Sequence, residues 1–257
     1  MTTMGEAQVK KHLRVVTLNI HKGLSQFNRR VVIHELREGL RALDADIVFL
    51  QEVQGHHAHH ARRHATWPTQ PQHALIADTL WGEAASHVYG QNAVYRQGHH
   101  GNAVLSRYAL SLVANHDVSN HRFERRGLLH VRAAVPGLSQ PLDCFCVHLS
   151  LHESGRRRQL GALLKHLPRT GAAIVAGDFN DWRVRAGRTL EAQLGFTEAI
   201  AQENGAHART FPSVLPVLRL DRIYVRGLTI QRAQVHRGAP WRRLSDHLAL
   251  SAELGFE

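Results

Sequence analysis

Cysteine is nearly absent from this chain of 257 residues: only Cys144 and Cys146 occur. No disulfide framework can be built from two cysteines, so a reduced, cytoplasmic setting is the expectation. Long apolar runs are missing too. None approaches the ~20 residues that span a bilayer, and no transmembrane segment is expected. Residues 1–11 are polar and lack an apolar stretch followed by a small-residue cleavage site, so they read as a flexible tail and not as a signal peptide. Aromatic residues are scarce at 6 %, and neither a stacking platform nor a separate nucleic-acid-binding module stands out. Acidic residues are outnumbered, 21 against 32 lysines and arginines, which leaves a formal net charge of +11. Such a field attracts polyanions: nucleic acid, an anionic lipid surface or a phosphorylated substrate. The arginines are spread along the chain, so charge alone does not choose among these. No internal repeat and no linker-like composition break is present; one domain, acting as a monomer, is expected.

Hydrophobic residues make up 43 % of the chain, an ordinary proportion for a globular protein. Histidine is abundant, with 21 residues. His56, His57, His59, His60 and His64 cluster in a stretch, 55–72, that reads as a long surface loop. No Cys or carboxylate stands at a ligand spacing from them, so they read as solvated and not as a metal site. The two cysteines sit two apart in an apolar run, and on a strand both point to one face.

Apolar segments at 13–18, 47–50, 102–106, 111–118, 128–135, 142–148, 172–176, 220–225, 228–235 and 248–254 read as strands. Segments 30–43, 74–81, 153–167 and 189–194 read as helices. Helices alternate with strands in the first and middle thirds, and strands run consecutively elsewhere. That pattern suits two sheets packed face to face with helices outside.

Many of these strands end in a polar residue. The strand fixes the backbone, and its last side chain projects into the crevice at the sheet edge. Asn19, Glu52, His148, the Asp178–Asn180 segment and the Ser245–His247 segment all stand so, and Asp221 opens a further strand. Glu52 is a hard oxygen ligand suited to magnesium or manganese, ions that need only one or two protein carboxylates. Asp178 can act as a general base or a ligand, and Asn180 can donate to a phosphate oxygen. His148 and His247 can donate to a phosphoryl oxygen when protonated, or move a proton when neutral. Asp221 or Asp246 can hold an imidazole in one tautomer. A Ser-Asp-His nucleophilic triad is not expected from Ser245, Asp246 and His247, because neighbours on a strand point to opposite faces.

The ordered set Thr17-Leu18-Asn19-Ile20, Leu50-Gln51-Glu52-Val53, Gly101-Asn102-Ala103-Val104-Leu105-Ser106, Val147-His148-Leu149, Gly177-Asp178-Phe179-Asn180, Leu220-Asp221-Arg222-Ile223-Tyr224 and Ser245-Asp246-His247 resembles the endonuclease/exonuclease/phosphatase (DNase I-like) superfamily. The resemblance covers residues 17–247. It implies an α/β (α+β) fold: a four-layer α/β/β/α sandwich of two mixed β-sheets with outer helices and the site at one end. It also implies roles. Glu52 looks like the metal ligand, helped by Asn19 and Asp246. Asp178 looks like the residue that activates or aligns the attacking water, with Asn180 as a phosphate donor. His247 looks like the essential transition-state histidine, with Asp221 as its partner. His148 is similar to the second histidine of the DNase I-like and sphingomyelinase branches; the abasic-site branch usually carries tyrosine there. His21, Lys22, Asn102 and Arg126 are candidates for substrate phosphate. The loop around Phe211-Pro212 and Pro216 resembles one that lines the family's pocket.

The expected function is therefore a magnesium- or manganese-dependent phosphodiesterase. A nucleic acid is the favoured substrate on charge. A phospholipid head group or a small phosphate ester is the alternative, and a non-catalytic phosphate-binding protein the remote one. No Trp- or Phe-rich amphipathic insertion helix is visible, which counts against a lipid surface.

Overall fold

The computed structural model describes residues 11–120 and 124–256. The expected tail at 1–11 lies almost wholly outside the described residues. Strands β1 (His12–Asn19), β2 (Ile47–His57), β3 (Ser86–Tyr95) and β4 (Gly98–Ser106) belong to one sheet, with β11 (Thr229–Val235) and β12 (Leu250–Gly255). Its order is β11-β12-β1-β2-β4-β3. The second sheet holds β5 (Leu110–Asp117), β6 (Gly127–Ala133), β7 (Leu142–His148), β8 (Ala173–Asp178), β9 (Thr197–Glu198) and β10 (Asp221–Arg226), in the order β5-β6-β7-β8-β10-β9. Both sheets are mixed: β1 runs parallel to β2 and β7 parallel to β8, and the other pairs are antiparallel. Seven helices are described: α1 (Ile33–Arg41), α2 (Ala58–Arg63), α3 (Gln72–Trp81), α4 (Glu153–His166), α5 (Arg185–Leu194), α6 (Ala199–Asn204) and α7 (Trp241–Leu244).

The layering follows from which side chains each strand turns which way. On β1 and β2, Leu13, Val15, Ile47 and Phe49 face Cys144, Cys146, Ile174 and Ala176 of the other sheet. The residues between them, Val16, Leu18, Val48 and Leu50, pack outward on α1, α3 and α7. On the second sheet, Phe145, Val147, Ala173 and Val175 pack outward on α4 and α5. Central strands covered on both faces must be apolar at every position, which is why they read as unbroken runs. The two cysteines share the inner face as expected. Both are free and buried, and burial pushes the Cys146 thiol up to about 12, so it is protonated and unreactive.

Three expectations need correction. The stretch 55–72 is not one loop: β2 continues through His57, and α2 follows directly. Its histidines are not all solvated either: His56 is exposed, whereas His57, His59, His60 and His64 are half-buried. The His60 ring stacks on Trp67 with centroids 4.8 Å apart and lies 3.9 Å from His57. Burial and the neighbouring imidazoles push His60 down to about 4, so the group packs as neutral aromatic rings. Second, β3 has no counterpart in the sequence reading. Its alternation is broken by Gly90 and by a register shift between Gln91 and Ala93. Third, α5 starts at Arg185, earlier than 189, and α6 was not anticipated.

One glycine is demanded by geometry. Gly177 precedes Asp178 with φ at +144°, and a Cβ there would stand 2.0 Å from the Val147 carbonyl oxygen of β7. Gly177→Ala is expected to lower unfolding stability by at least ~2 kcal/mol. Gly161→Ala, in α4 with no atom within 4 Å of the added carbon, is expected to raise it by ~0.5–1 kcal/mol. Urea unfolding checks both, and equal stabilities would show that the close approach is not what requires glycine.

Candidate active site

Strand pairing builds the centre of the site. His148 at the end of β7 lies opposite Asp178 at the end of β8, and Asp178 lies opposite Asp221 at the start of β10. The three therefore form one row across three strands and face one way. Asn19, at the end of β1, arrives from the other sheet. Its Nδ2 donates to Asp178 Oδ2 at 3.2 Å. The same oxygen lies 3.5 Å from His148 Nε2 and 3.8 Å from His247 Nε2. Asp178 Oδ1 accepts from the Asn180 backbone N–H at 2.9 Å. On its far side, His247 Nδ1 is 2.9 Å from Asp221 Oδ2. The Ser245 hydroxyl donates to the Asn19 carbonyl at 2.6 Å, which clips the Ser-Asp-His segment to β1. The Phe211 ring packs on His247 with centroids 5.0 Å apart.

Glu52 reaches the site by a different device. Leu50 pairs with Ala103 but Val53 pairs with Gly101, so two residues of β2 bulge against one of β4. Glu52 takes φ +56° there. A bulge re-aims a side chain, and here it turns Glu52 toward Lys22, whose Nζ is 3.5 Å from Glu52 Oε2. Eight non-glycine residues have positive φ among the described residues, and four of them are site candidates: His21, Lys22, Glu52 and Asn180. Backbone strain of this kind is typical of functional sites.

Electrostatics separates the two histidines. Burial alone lowers the His247 imidazolium, but Asp221 and Asp178 outweigh it and push the group up to about 10. His247 is therefore a cation at neutral pH. Burial, reinforced by the guanidinium of Arg126, takes His148 well below its ordinary value, so it is neutral. Asp178 is pushed up to about 6 by burial, with His247 opposing and Asp221 adding. Burial works against the Glu52 carboxylate as well, yet positive charge beside it, the Lys22 ammonium at 3.5 Å, holds it down to about 2. Two imidazoles and two carboxylates thus take four different protonation properties from their surroundings.

Several candidates stand where the sequence suggested, in altered detail. His21 Nδ1 lies 3.2 Å from Asp246 Oδ2, and its N–H donates to Asn19 Oδ1 at 3.1 Å. Asn180 Nδ2 donates to the Leu149 carbonyl at 2.9 Å. Asn102 Nδ2 donates to the carbonyls of Gly127 and Cys146, at 3.0 and 3.2 Å. Its nitrogen therefore stitches the two sheets together and does not point at an anion. Arg126 lines a crevice with Glu52, Arg125, His100 and His148. His100 was missed. Its Nδ1 is buried without a hydrogen bond, and burial together with Lys22 pushes it down to about 4. The available signal was its place on β4 two residues before Asn102, on the same face.

Metal-binding capacity can be tested on these atoms. One carboxylate oxygen of Asp178, one of Asp221 and a His247 nitrogen lie within 4.8 Å of one another. Within that trio His247 is already hydrogen-bonded to Asp221 at 2.9 Å, and a protonated imidazole cannot ligate a cation. Glu52 fits better: it is ionised, and its buried Oε2 has no hydrogen-bond partner. Hard divalent cations take such oxygens.

A model of the Endonuclease/Exonuclease/phosphatase family matches residues 16–247. The uncharacterized protein YbhP of Escherichia coli (strain K12) is 46 % identical over 244 residues, which is 94 % of this chain and 95 % of that protein. An endonuclease/exonuclease/phosphatase from Beutenbergia cavernae has a similar structure, with a TM-score of 0.76 at 23 % identity, covering 96 % of this chain and 72 % of that one. A family protein from Leptotrichia buccalis has a TM-score of 0.72 at 15 % identity, covering 95 % and 100 %. At these identities the structural likeness speaks for the fold, and the expected sandwich is the one observed.

Asp221→Asn is expected to bring the His247 titration, near pH 10 in the unaltered protein, down toward the ordinary histidine range, because the opposite charge that raises it is removed. Histidine NMR over pH 5–11 reads this directly. An ordinary His247 titration in the unaltered protein would refute the ion pair.

Proposed function

The chain belongs to the endonuclease/exonuclease/phosphatase family, and we propose that it hydrolyses phosphodiester bonds with a divalent cation, magnesium or manganese, held at Glu52 with help from Asn19 and Asp246. The observation that carries this reading is the convergence of Asn19, His148 and the cationic His247 on one oxygen of Asp178. A cation bound at Glu52 would supply positive charge to a phosphoryl oxygen and a route to activated water.

The side chains do the rest. Asp178 has a carboxyl poised near 6, where a general base retains basicity and is still mostly ionised at neutral pH. It aligns a water for in-line attack and takes its proton. His247 holds its positive charge against Asp221 and donates from Nε2 to a non-bridging phosphoryl oxygen as charge grows there. His148 is neutral, so it donates or accepts a hydrogen bond without bringing a full charge. Asn180 is placed beside Asp178 to donate to a phosphate oxygen. Lys22 and Arg126 add positive charge at the rim of the site.

Two polyanions satisfy a net charge of +11: nucleic acid, which the sequence favours, and an anionic phospholipid. Exposed aliphatic side chains in the loops around the site, Leu151, Val214, Leu215 and Val217, favour the second.

With bis(p-nitrophenyl) phosphate and magnesium or manganese, His247→Ala is expected to remain folded and lose at least ~100-fold in rate. EDTA is expected to abolish the activity of the unaltered protein, and added metal to restore it. A folded His247→Ala within a few-fold of the unaltered rate, or full activity without metal, would refute these roles. The pH–rate profile should rise through about 6 as Asp178 ionises and fall through about 10 as His247 loses its proton. In Asp178→Asn, the surviving rate should lack the acid limb.

A further inference from the structure

Among the described residues, ten large apolar side chains are exposed, and their placement is not random. Leu112 and Val113 lie on β5, at an edge of the second sheet. Six of the other eight stand in segments that follow or precede strand ends carrying the site, and Val94 and Tyr95 end β3 beside them. Phe27, 72 % exposed, lies in the connection that follows Asn19. Leu151 comes three residues after His148, and Trp182 four residues after Asp178. Val214, Leu215 and Val217 occupy the loop before Asp221, with Leu215 70 % exposed. That loop is tied to the site, since the Ser213 N–H donates to the Asp246 carbonyl at 2.7 Å. Val94 and Tyr95 form the end of the β3–β4 hairpin, on the side toward which β2 runs beyond Glu52.

Basic residues share two of these segments. Arg29 and Arg30 follow Phe27, and the Arg29 guanidinium lies 5.5 Å from the Phe27 ring centre. Arg183 and Arg185 follow Trp182, and both are exposed. Phe27 is also held at φ +65°. An aromatic residue in a strained conformation, pointing into water, buries no apolar surface in the fold to offset that strain.

We infer that the active-site end of this molecule docks on an anionic phospholipid surface, with the loops at 24–32, 149–152, 181–184 and 211–218 placing apolar side chains among the lipid head groups and their arginines on lipid phosphates. Apolar burial combined with basic residues is what shallow attachment to an anionic membrane requires. The described helices include none long and apolar enough to cross a membrane, so attachment would be from one side. Nucleic acid fits the same charge, and Phe27, Tyr95 and Trp182 could stack on bases, but the aliphatic part of the set fits only lipid. Leu151, Val214, Leu215 and Val217 have no π face on which a base could stack, and they contribute nothing to a phosphate backbone. A second copy would set like charge against like. The orientation brings Glu52, Asp178 and His247 to the head-group layer, so the phosphodiester of a lipid head group becomes the substrate class. That last step rests on the phosphodiesterase reading, whereas the docking does not.

The test is vesicle flotation in EDTA, which prevents turnover, with phosphatidylcholine vesicles and with vesicles of equal phosphatidylcholine and phosphatidylglycerol. The unaltered protein is expected to float with the second and not the first. A Phe27→Ser, Leu215→Ser, Val217→Ser variant of unchanged melting temperature should bind the anionic vesicles at least ~10-fold more weakly. Leu215→Ser alone, at an exposed loop position, replaces the triple variant should that one melt early. Unchanged flotation of the folded variant, or equal flotation on neutral vesicles, overturns the proposal. So does tight binding of RNA or plasmid DNA that the same variant loses, with no binding to lipid. Cleavage of bis(p-nitrophenyl) phosphate by a protein that does not float removes the docking surface and leaves the phosphodiesterase. Flotation without cleavage in metal does the reverse.

Discussion

The site depends on one row of strand pairing: His148 beside Asp178 beside Asp221, across β7, β8 and β10. Side chains in a row face the same way, and a slip of one residue in either pairing would turn one of the three to the opposite face. The register is secured by burial on both sides of the sheet, since β7 and β8 carry apolar residues inward and outward alike. It is also secured at closest range by Gly177, where the chain passes too near Val147 to carry any side chain. The other sheet then needs to contribute only strand ends. Asn19 and Glu52 arrive from β1 and β2, and the Ser245 hydroxyl holds His247 to the end of β1.

Burying this many titratable groups together decides their charges. An isolated buried carboxylate is driven toward neutrality, and so is an isolated buried imidazole. His247 escapes by pairing with Asp221, which leaves a lasting positive charge beside Asp178. His148 has Arg126 for a neighbour and stays neutral. Asp178 lies between these influences, with burial and Asp221 raising it and His247 lowering it. The same elements that fold the chain therefore divide the labour between two histidines that are indistinguishable as letters.

The central strands and their terminal polar residues were legible in the sequence. Unbroken apolar runs follow from the four-layer burial, and the motifs sit where those runs stop. What stayed hidden has physical causes. The aim of Glu52 comes from a bulge, which pairing creates and periodicity does not show. The strand β3 was lost because a glycine and a register shift break its alternation. The histidines at 57 and 60 looked solvated because a polar composition was read as exposure. In the structure they become neutral rings packed on Trp67. Asn102 sits in a motif, yet its amide nitrogen bridges the two sheets, a use that only the folded seam reveals.

The apolar rim was hidden for another reason. A membrane-binding helix announces itself through one amphipathic segment, and this chain has none. The exposed apolar residues of this rim come singly, in a pair or in a group of three, from segments separated by up to about 190 positions, each ordinary in isolation. Folding collects those of the rim because each stands at or next to a strand end on the same edge of the sandwich. On the proposed reading, chemistry and substrate are encoded at different scales. The candidate site groups are written in short motifs that end strands. The surface that would choose between a lipid and a nucleic acid is written only in which loops the topology brings side by side. A charge of +11 attracts either polyanion, so the choice falls to the side chains set among those charges, and aliphatic ones gain free energy only by leaving water.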